Sequence, residues 1–290
     1  MLNDLRYAFR QLAKSPGFTA VAILILALGI GSTTAIFSVV NGVLLRPLPY
    51  PEAGRIIFFE GQNLGHGISD SNISFLDFQD WTNQSQPFAK MALFWTGDAA
   101  IAAGSDEPER VPRAGVTTNF FDVLGVQPIL GRKFLAKEDQ PDVTSVAILS
   151  EGLWQRRFGS DRNIIGKTIT INARPMSVVG VIPRGFEFPE NTQIWTTSAV
   201  NVAEEPRDNR SYFALGRLKP GVDLKQAQVQ ISAINNQLAQ AYPDTNKGWD
   251  ARLVLLHERL VGSVRASLLI LLGAVGLVLL IACANLTNLL

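Results

Sequence analysis

Two long runs without a charged side chain constrain this chain more than any other feature. Phe18–Leu45 is 28 residues free of Asp, Glu, Lys and Arg, and Ala266–Leu290 is a further 25. A helix needs about 20 apolar residues to cross the hydrocarbon core of a bilayer, so each run reads as a transmembrane helix. Between them, residues 46–265 form a 220-residue segment of ordinary soluble composition. The first run is far longer than the apolar core of a secretory signal, and no small-residue cleavage site follows it before "LLRPLPYP". It reads as an uncleaved anchor.

Charge adds orientation and removes one class of partner. Residues 1–17 carry Arg6, Arg10 and Lys14 against Asp4, which favours a cytoplasmic N-terminus and an external middle segment. In the same leader Leu2, Leu5, Phe9 and Leu12 recur at helical spacing, the pattern of a short amphipathic helix at the inner interface. The middle segment holds 23 basic and 24 acidic residues, so it has no basic footprint for nucleic acid. The only cysteine, Cys283, lies in the second apolar run and says nothing about the redox compartment of the middle segment.

Small residues mark the apolar runs. Gly31 and Ala35 make a small-xxx-small step beside Ser32, Thr33 and Thr34, and Gly273 and Gly276 give the second run a similar face. Such residues let helices approach closely, so these four are the candidate transmembrane helix contacts. After the first run, Pro47, Pro49 and Pro51 favour an extended exit.

The middle segment alternates strand and helix patterns. Strands are expected at 55–61, 88–95, 109–117, 143–149, 167–172, 176–182, 192–197, 211–218 and 251–258. Pro112 in the third of these suggests an edge strand. Helices are expected over 73–84 with a cap near Ser71 or Asn72, from Thr118 to Gly125, and from Ser150 to Gly159. The clearest helix follows Pro220-Gly221: Asp223 and Gln226 form a capping box, and Leu224, Ala227, Ile231, Ile234, Leu238 and Ala241 line one face until Pro243. Strand–helix–strand units thus stand at both ends of the segment. The expected layout is a membrane-proximal α/β module from residues 46–105 and 205–265, with 106–204 inserted as a β-rich second lobe. One continuous α+β domain is the alternative.

Catalytic motifs are missing. "GSDRNIIGKT" ends like a phosphate loop, but position 161 is Asp where that loop needs Gly, and the Lys opens a strand. Glu138-Asp139, Glu204-Glu205 and the pair Asp77/Asp80 read as loop or solvated-face carboxylates. His66 and His257 have no ligand-like neighbours in sequence, no Gly-x-Ser-x-Gly elbow occurs, and no metal-ligand spacing is present. Asn72, Asn83 and Asn209 match the glycosylation sequon without other support. Phe120, Phe121 and Leu124 form an apolar knob, read first as core. No cofactor, metal or catalytic residue is therefore assigned to this chain.

Several stretches resemble one family. The leader and first run, with "NFFDVLGVQPILGRKF", "VAILSEGLWQRRFG", "GKTITINARPMSVVGVIP", "GRLKPGVDLKQAQ" and "GAVGLVLLIACANLTNLL", resemble MacB-like, FtsX-type ABC transporter permeases, and within them the long duplicated permeases common in acidobacteria. The resemblance implies four membrane helices per unit, with a periplasmic domain between the first two divided into a porter-like module and a sabre-like lobe. It also implies a permease dimer in the bacterial inner membrane, with a separate cytoplasmic ATPase that binds ATP. In the family that ATPase drives export of substrates such as lipoproteins, peptides, toxins or macrolides by mechanotransmission, and a periplasmic adaptor is a further partner the resemblance implies. The family's cytoplasmic coupling loop and its third and fourth spans are absent from these 290 residues, so a truncated permease is expected. A membrane-anchored sensor shares the helix–domain–helix layout and is the competing reading; a tethered enzyme ranks last.

Overall fold

The computed structural model describes residues 16–102, 107–140, 143, 145–186 and 188–289. The amphipathic leader expected over 1–17 lies almost wholly outside them. The described residues form a mixed α/β protein with an apolar helix at each end, and they separate into two compact units. One holds the apolar helices; the other is Pro49–Leu256.

In the first unit, α1 (Pro16–Val40) continues into a five-residue π-helical turn, Asn41–Leu45. The second apolar helix, α7, runs unbroken over Leu256–Leu289. Stretches of 27 and 30 residues, Thr19–Leu45 and Leu256–Asn285, are long and apolar enough to cross a membrane, and almost none of their side chains are buried. The second helix begins ten residues before the uncharged run at Ala266. The strand expected over 251–258 stops short: at Leu256 the chain turns helical, and about 15 Å of helix precedes Ala266.

The second unit is built on one eleven-stranded sheet. Its strands are β1 (Ile56–Asn63), β2 (Ile68–Ser71), β3 (Phe88–Ala102), β4 (Glu109–Val116), β5 (Leu130–Gly131), β6 (Val146–Ser150), β7 (Thr168–Ile171), β8 (Arg174–Ile182), β9 (Ile194–Thr197), β10 (Phe213–Leu218) and β11 (Asp250–Leu255). The order is β11-β1-β10-β3-β4-β9-β6-β8-β5, with β2 on β1 and β7 bridging β3 and β8. Helices α2 (Phe75–Gln84) and α5 (Leu224–Ala241), the latter followed by the single turn α6 (Pro243–Asn246), cover one core, where Phe59, Trp81, Leu93, Ile231 and Leu253 meet. A second core gathers Ile101, Val111, Leu149, Leu153 and Ile171 beside α4 (Glu151–Phe158). The 15-residue β3 serves both, giving Met91 and Leu93 to the first and Ala99 and Ile101 to the second. Between the cores lies an aromatic belt in which Phe94 packs on Phe58, Phe120, Phe188 and Phe213. Phe120, Phe121 and Leu124 of the short helix α3 (Phe120–Leu124) are fully buried in it.

Local chemistry explains most boundaries. The Asp223–Gln226 capping box closes α5 reciprocally. Ser150 caps α4 by accepting from the Leu153 amide, and Gly159, at φ +58°, ends it. Other expectations need correction. Ser74 caps α2, because Ser71 is committed to β2 opposite Gly61. Asn119 takes the cap position of α3, since Thr118 is engaged with Asp139. The β7–β8 turn is Asn172-Ala173, both at positive φ, so Arg174 and Pro175 already belong to the strand. Ala241 is exposed, and the buried face of α5 ends at Leu238. Strand β4 is interior rather than an edge. Pro112 is tolerated because its carbonyl accepts from Gln193 on the β9 side, where the β4–β9 ladder only begins at Arg113. Its missing N–H therefore costs the β3 ladder nothing.

The outer edge at β11 is closed by side chains. Gln228 on α5 donates to the Ala251 carbonyl and accepts from the Leu253 amide, both at 2.8 Å. Ser232 and Asn235, further along the same helix, donate to the Asp250 carboxylate at 2.9 and 2.8 Å.

Candidate functional site: a linker clamp and a buried ion-pair node

Two polar constructions stand out in the second unit. The first holds the chain where it enters the sheet. Arg217, an interior residue of β10, donates from Nε to the Val123 carbonyl at 2.8 Å and from Nη1 to Pro51 O at 2.9 Å. Burial, together with the charge of Arg55, lowers its pKa, and Glu52 at 3.8 Å partly opposes this. Arg55 donates Nε and Nη2 to the Leu218 carbonyl, at 2.9 and 2.6 Å, and pairs with Glu52 at 2.5 Å. Gly125 ends α3 at φ +72°, and a Cβ there would lie 3.2 Å from the Pro51 ring. The clamp thus uses a left-handed helix stop to let a proline pack closely. Tyr50 packs its ring edge-on to Phe186, and burial raises its pKa to about 12. It stays a neutral phenol at any ordinary pH.

The second construction centres on Asp77 of α2, which is buried at 3% exposure. Its carboxylate accepts from Arg207 Nη1 at 3.0 Å, Arg210 Nη1 at 2.9 Å and Asn246 Nδ2 at 2.8 Å. Arg207 also pairs with Asp80 at 2.8 Å. Each guanidinium lies over an aromatic ring, Arg207 on Tyr242 at 3.9 Å and Arg210 on Trp249 at 3.8 Å. Although burial opposes its charge, Asp80 and Asp77 hold the Arg207 pKa above its usual value. The node therefore straps the 207–210 loop, α2 and the turn before β11 together. Beside it lies an open groove of about 710 Å³ whose lining includes Asn63, His66, Asp244, Lys247 and Trp249.

This corrects the view of Asp77 as a solvated carboxylate: its partners lie 130 residues or more along the chain. "RDNR" spaces two arginines three apart, a signal that two cations need one acceptor, but nothing local names it. Among the other carboxylates, Asp139 accepts from Thr118. Glu138 pairs with Arg132, and Glu205 accepts from Asn209. In "GKT", the Gly166 amide is spent on the Val178 carbonyl and Lys167 pairs with Asp161, so no phosphate cradle forms. Among the described residues no three His, Cys, Asp or Glu side chains converge as metal ligands.

The candidate helix contacts are placed as follows. Gly31 and Ala35 are exposed, and a Cβ added to Gly31, Gly273 or Gly276 would meet nothing within 4 Å. Within the chain it is Gly29 that approaches the other apolar helix, with Leu279 Cδ1 at 2.9 Å from such a Cβ. Among the described residues, a side chain added at any of the three expected glycines would therefore meet no neighbour.

The family model described as "MacB-like periplasmic core domain" matches residues 19–234. The macrolide export ATP-binding/permease protein MacB of Aggregatibacter actinomycetemcomitans is 25% identical over 182 residues, which cover 62% of this chain and 26% of that protein. The chain therefore spans about a quarter of that relative's length. The solved periplasmic region of MacB from Actinobacillus actinomycetemcomitans superposes with a TM-score of 0.52 at 16% identity, covering 79% of this chain and 97% of that one. The extracellular domain of the ABC-type transporter YknZ from Gram-positive bacteria gives a TM-score of 0.51 at 12% identity, covering 68% and 99%. At these identities the likeness establishes the fold.

Proposed function

The chain belongs to the MacB-like periplasmic core domain family, and on that premise we propose that it is the N-terminal part of an ABC transporter permease of the inner membrane. Its N-terminus is cytoplasmic and the sheet domain periplasmic. ATP is bound and hydrolysed by a separate ATPase subunit. A second permease unit pairs with this one through the faces carrying Gly31, Ala35, Gly273 and Gly276, and a periplasmic adaptor is a further candidate partner. Within the domain, residues 46–105 and 205–265 act as the porter-like module and 106–204 as the sabre-like lobe.

The reading is mechanical: motion of the helices is carried into the sheet. One observation supports it above others. Strands β1 and β11 are antiparallel neighbours over Ile57–Gln62 and Asp250–Leu255, and β11 passes into α7 with no residue between Leu255 and Leu256. With no loop residue between strand and helix, only the torsions at the element ends are left to take up displacement. The clamp around Pro51 restrains the other chain entry in the same way. The test is a flexible Gly-Ser insertion between Leu255 and Leu256 in the full-length protein with its ATPase. Export is expected to fall while ATP hydrolysis and the near-UV circular dichroism of the domain persist. Undiminished export would refute mechanical coupling through this junction.

A further inference from the structure

A polar platform on the sheet plays no part in the transport reading. Register places Trp95 opposite Gly115, and Gly115 opposite Thr196; two residues along, Gly97 faces Arg113. These side chains share one face of β3, β4 and β9. A Cβ on Gly115 would come within 2.2 Å of Trp95 Cε2, so the indole lies across a position that only glycine can occupy. Trp95 Nε1 donates to Ser198 Oγ at 3.0 Å, which fixes the ring, and Arg113 sits over that ring at 4.6 Å. The guanidinium plane is therefore set in advance, while Gly97 beside it on the same face is exposed.

What the platform lacks is an acceptor. Arg113 is partly buried, its Nε is enclosed without a hydrogen-bond partner, and so is Oγ1 of Thr196 on the same face. Among the described residues neither Arg113 nor Arg174 has a carboxylate partner, whereas Arg110, Arg132, Arg156, Arg157, Arg207 and Arg210 each do. Register from Arg174 to Ile171, and from Ile171 to Ile101, sets Arg174 on the same face of the sheet, and burial and then its charge lower the Arg113 pKa. The charge effects are of the kind a bound anion relieves, and it would do so at the Nη groups, since the enclosed Nε lies out of a ligand's reach.

We propose that Arg113, pre-oriented on Trp95 and assisted by Arg174, is a receptor for the oxyanion of a ligand, a carboxylate or a phosphate group. The guanidinium fork suits either by paired N–H···O bonds, a geometry that lysine cannot reproduce. The experiment titrates the full chain in nanodiscs with inorganic phosphate and, separately, with acetate. Chloride holds ionic strength constant, and tryptophan emission is the readout because Trp95 lies beneath Arg113. A saturable change is expected with at least one anion, absent in Trp95→Phe and weakened at least tenfold in Arg113→Gln and Arg113→Lys. Exposed Arg174→Gln, which perturbs no packing, should weaken binding as well and covers the case in which the Arg113 variants misfold. Saturation by phosphate alone identifies a phosphoryl ligand, and by acetate alone a carboxylate. No saturation by about 10 mM, beyond the weak end of specific recognition, or an equal response in Arg113→Gln and Arg174→Gln, overturns the assignment.

Discussion

Removing the acceptor at the centre of the ion-pair node gives the sharpest test of how the domain is held together. In Asp77→Ala, Arg207, Arg210 and Asn246 each lose a hydrogen bond of 2.8–3.0 Å inside a site where Asp77 is 3% exposed. Deleting one partner of a buried pair costs about 3–5 kcal/mol, because a charge is left unpaired. Compensation places this case near the lower end. Arg207 keeps Asp80, and Arg210 keeps the Thr245 carbonyl at 3.1 Å and its seat on Trp249. A loss of about 3 kcal/mol corresponds to a fall in Tm of about 6–12 °C for a domain of this size. Asp80→Ala, at a more exposed position, should lose less than about 1 kcal/mol. Thermal melting of the full chain in nanodiscs, followed by near-UV circular dichroism, measures both. Combining Asp77→Ala with Arg210→Ala should lose less than the sum of the single changes, since the stranded cation is removed with its acceptor. If Asp77→Ala melts no lower than Asp80→Ala, the node is a surface ornament and the reasoning fails.

Two further outcomes follow from the same coordinates. Burial alone would raise the carboxyls of Asp122 and Glu138, but Lys133 and Lys90, and Arg132 with the Leu135 amide, outweigh it and hold both pKa values down. A depressed folded pKa adds stability above the unfolded pKa and loses it as pH falls through the folded one, so Tm should drop as pH falls below about 4.5, and Glu138→Gln should flatten that slope. In the apolar unit, Gly31→Leu should reduce cross-linking between two purified copies while the circular dichroism of the chain is retained, because its Cβ meets nothing within the chain. Cross-linking that is unchanged would count against that face as a dimer contact.

Legibility in the sequence tracked the range of the interactions. The capping box of α5 and the stop at Gly159 are read within four residues, because backbone groups at helix ends need partners close by. The apolar helices were visible from charge alone. The start of α7 was not: "LVLLHERL" is apolar enough for either state, and the switch at Leu256 depends on where the β1 ladder ends. Pro112 misled because the edge rule concerns one N–H, and the direction of that group depends on register. Asp77 was misread for a deeper reason. On a helix, a carboxylate at a polar position is usually solvated, and only a loop some 130 residues later brings the arginines that bury it. The Arg113 platform was equally invisible, since it needs three strands in alignment.

The Gln228 contacts on β11 decide what can pair with that edge of the sheet. A sheet usually ends in a strand whose free amides and carbonyls can recruit any extended segment, whether a neighbour's strand or a misfolded chain. Here a primary amide imitates that next strand, offering one donor and one acceptor at the spacing a backbone would. The edge is stoppered by a residue that cannot itself be extended. A further strand could add to β11 there only after displacing Gln228 from the Ala251 carbonyl and the Leu253 amide.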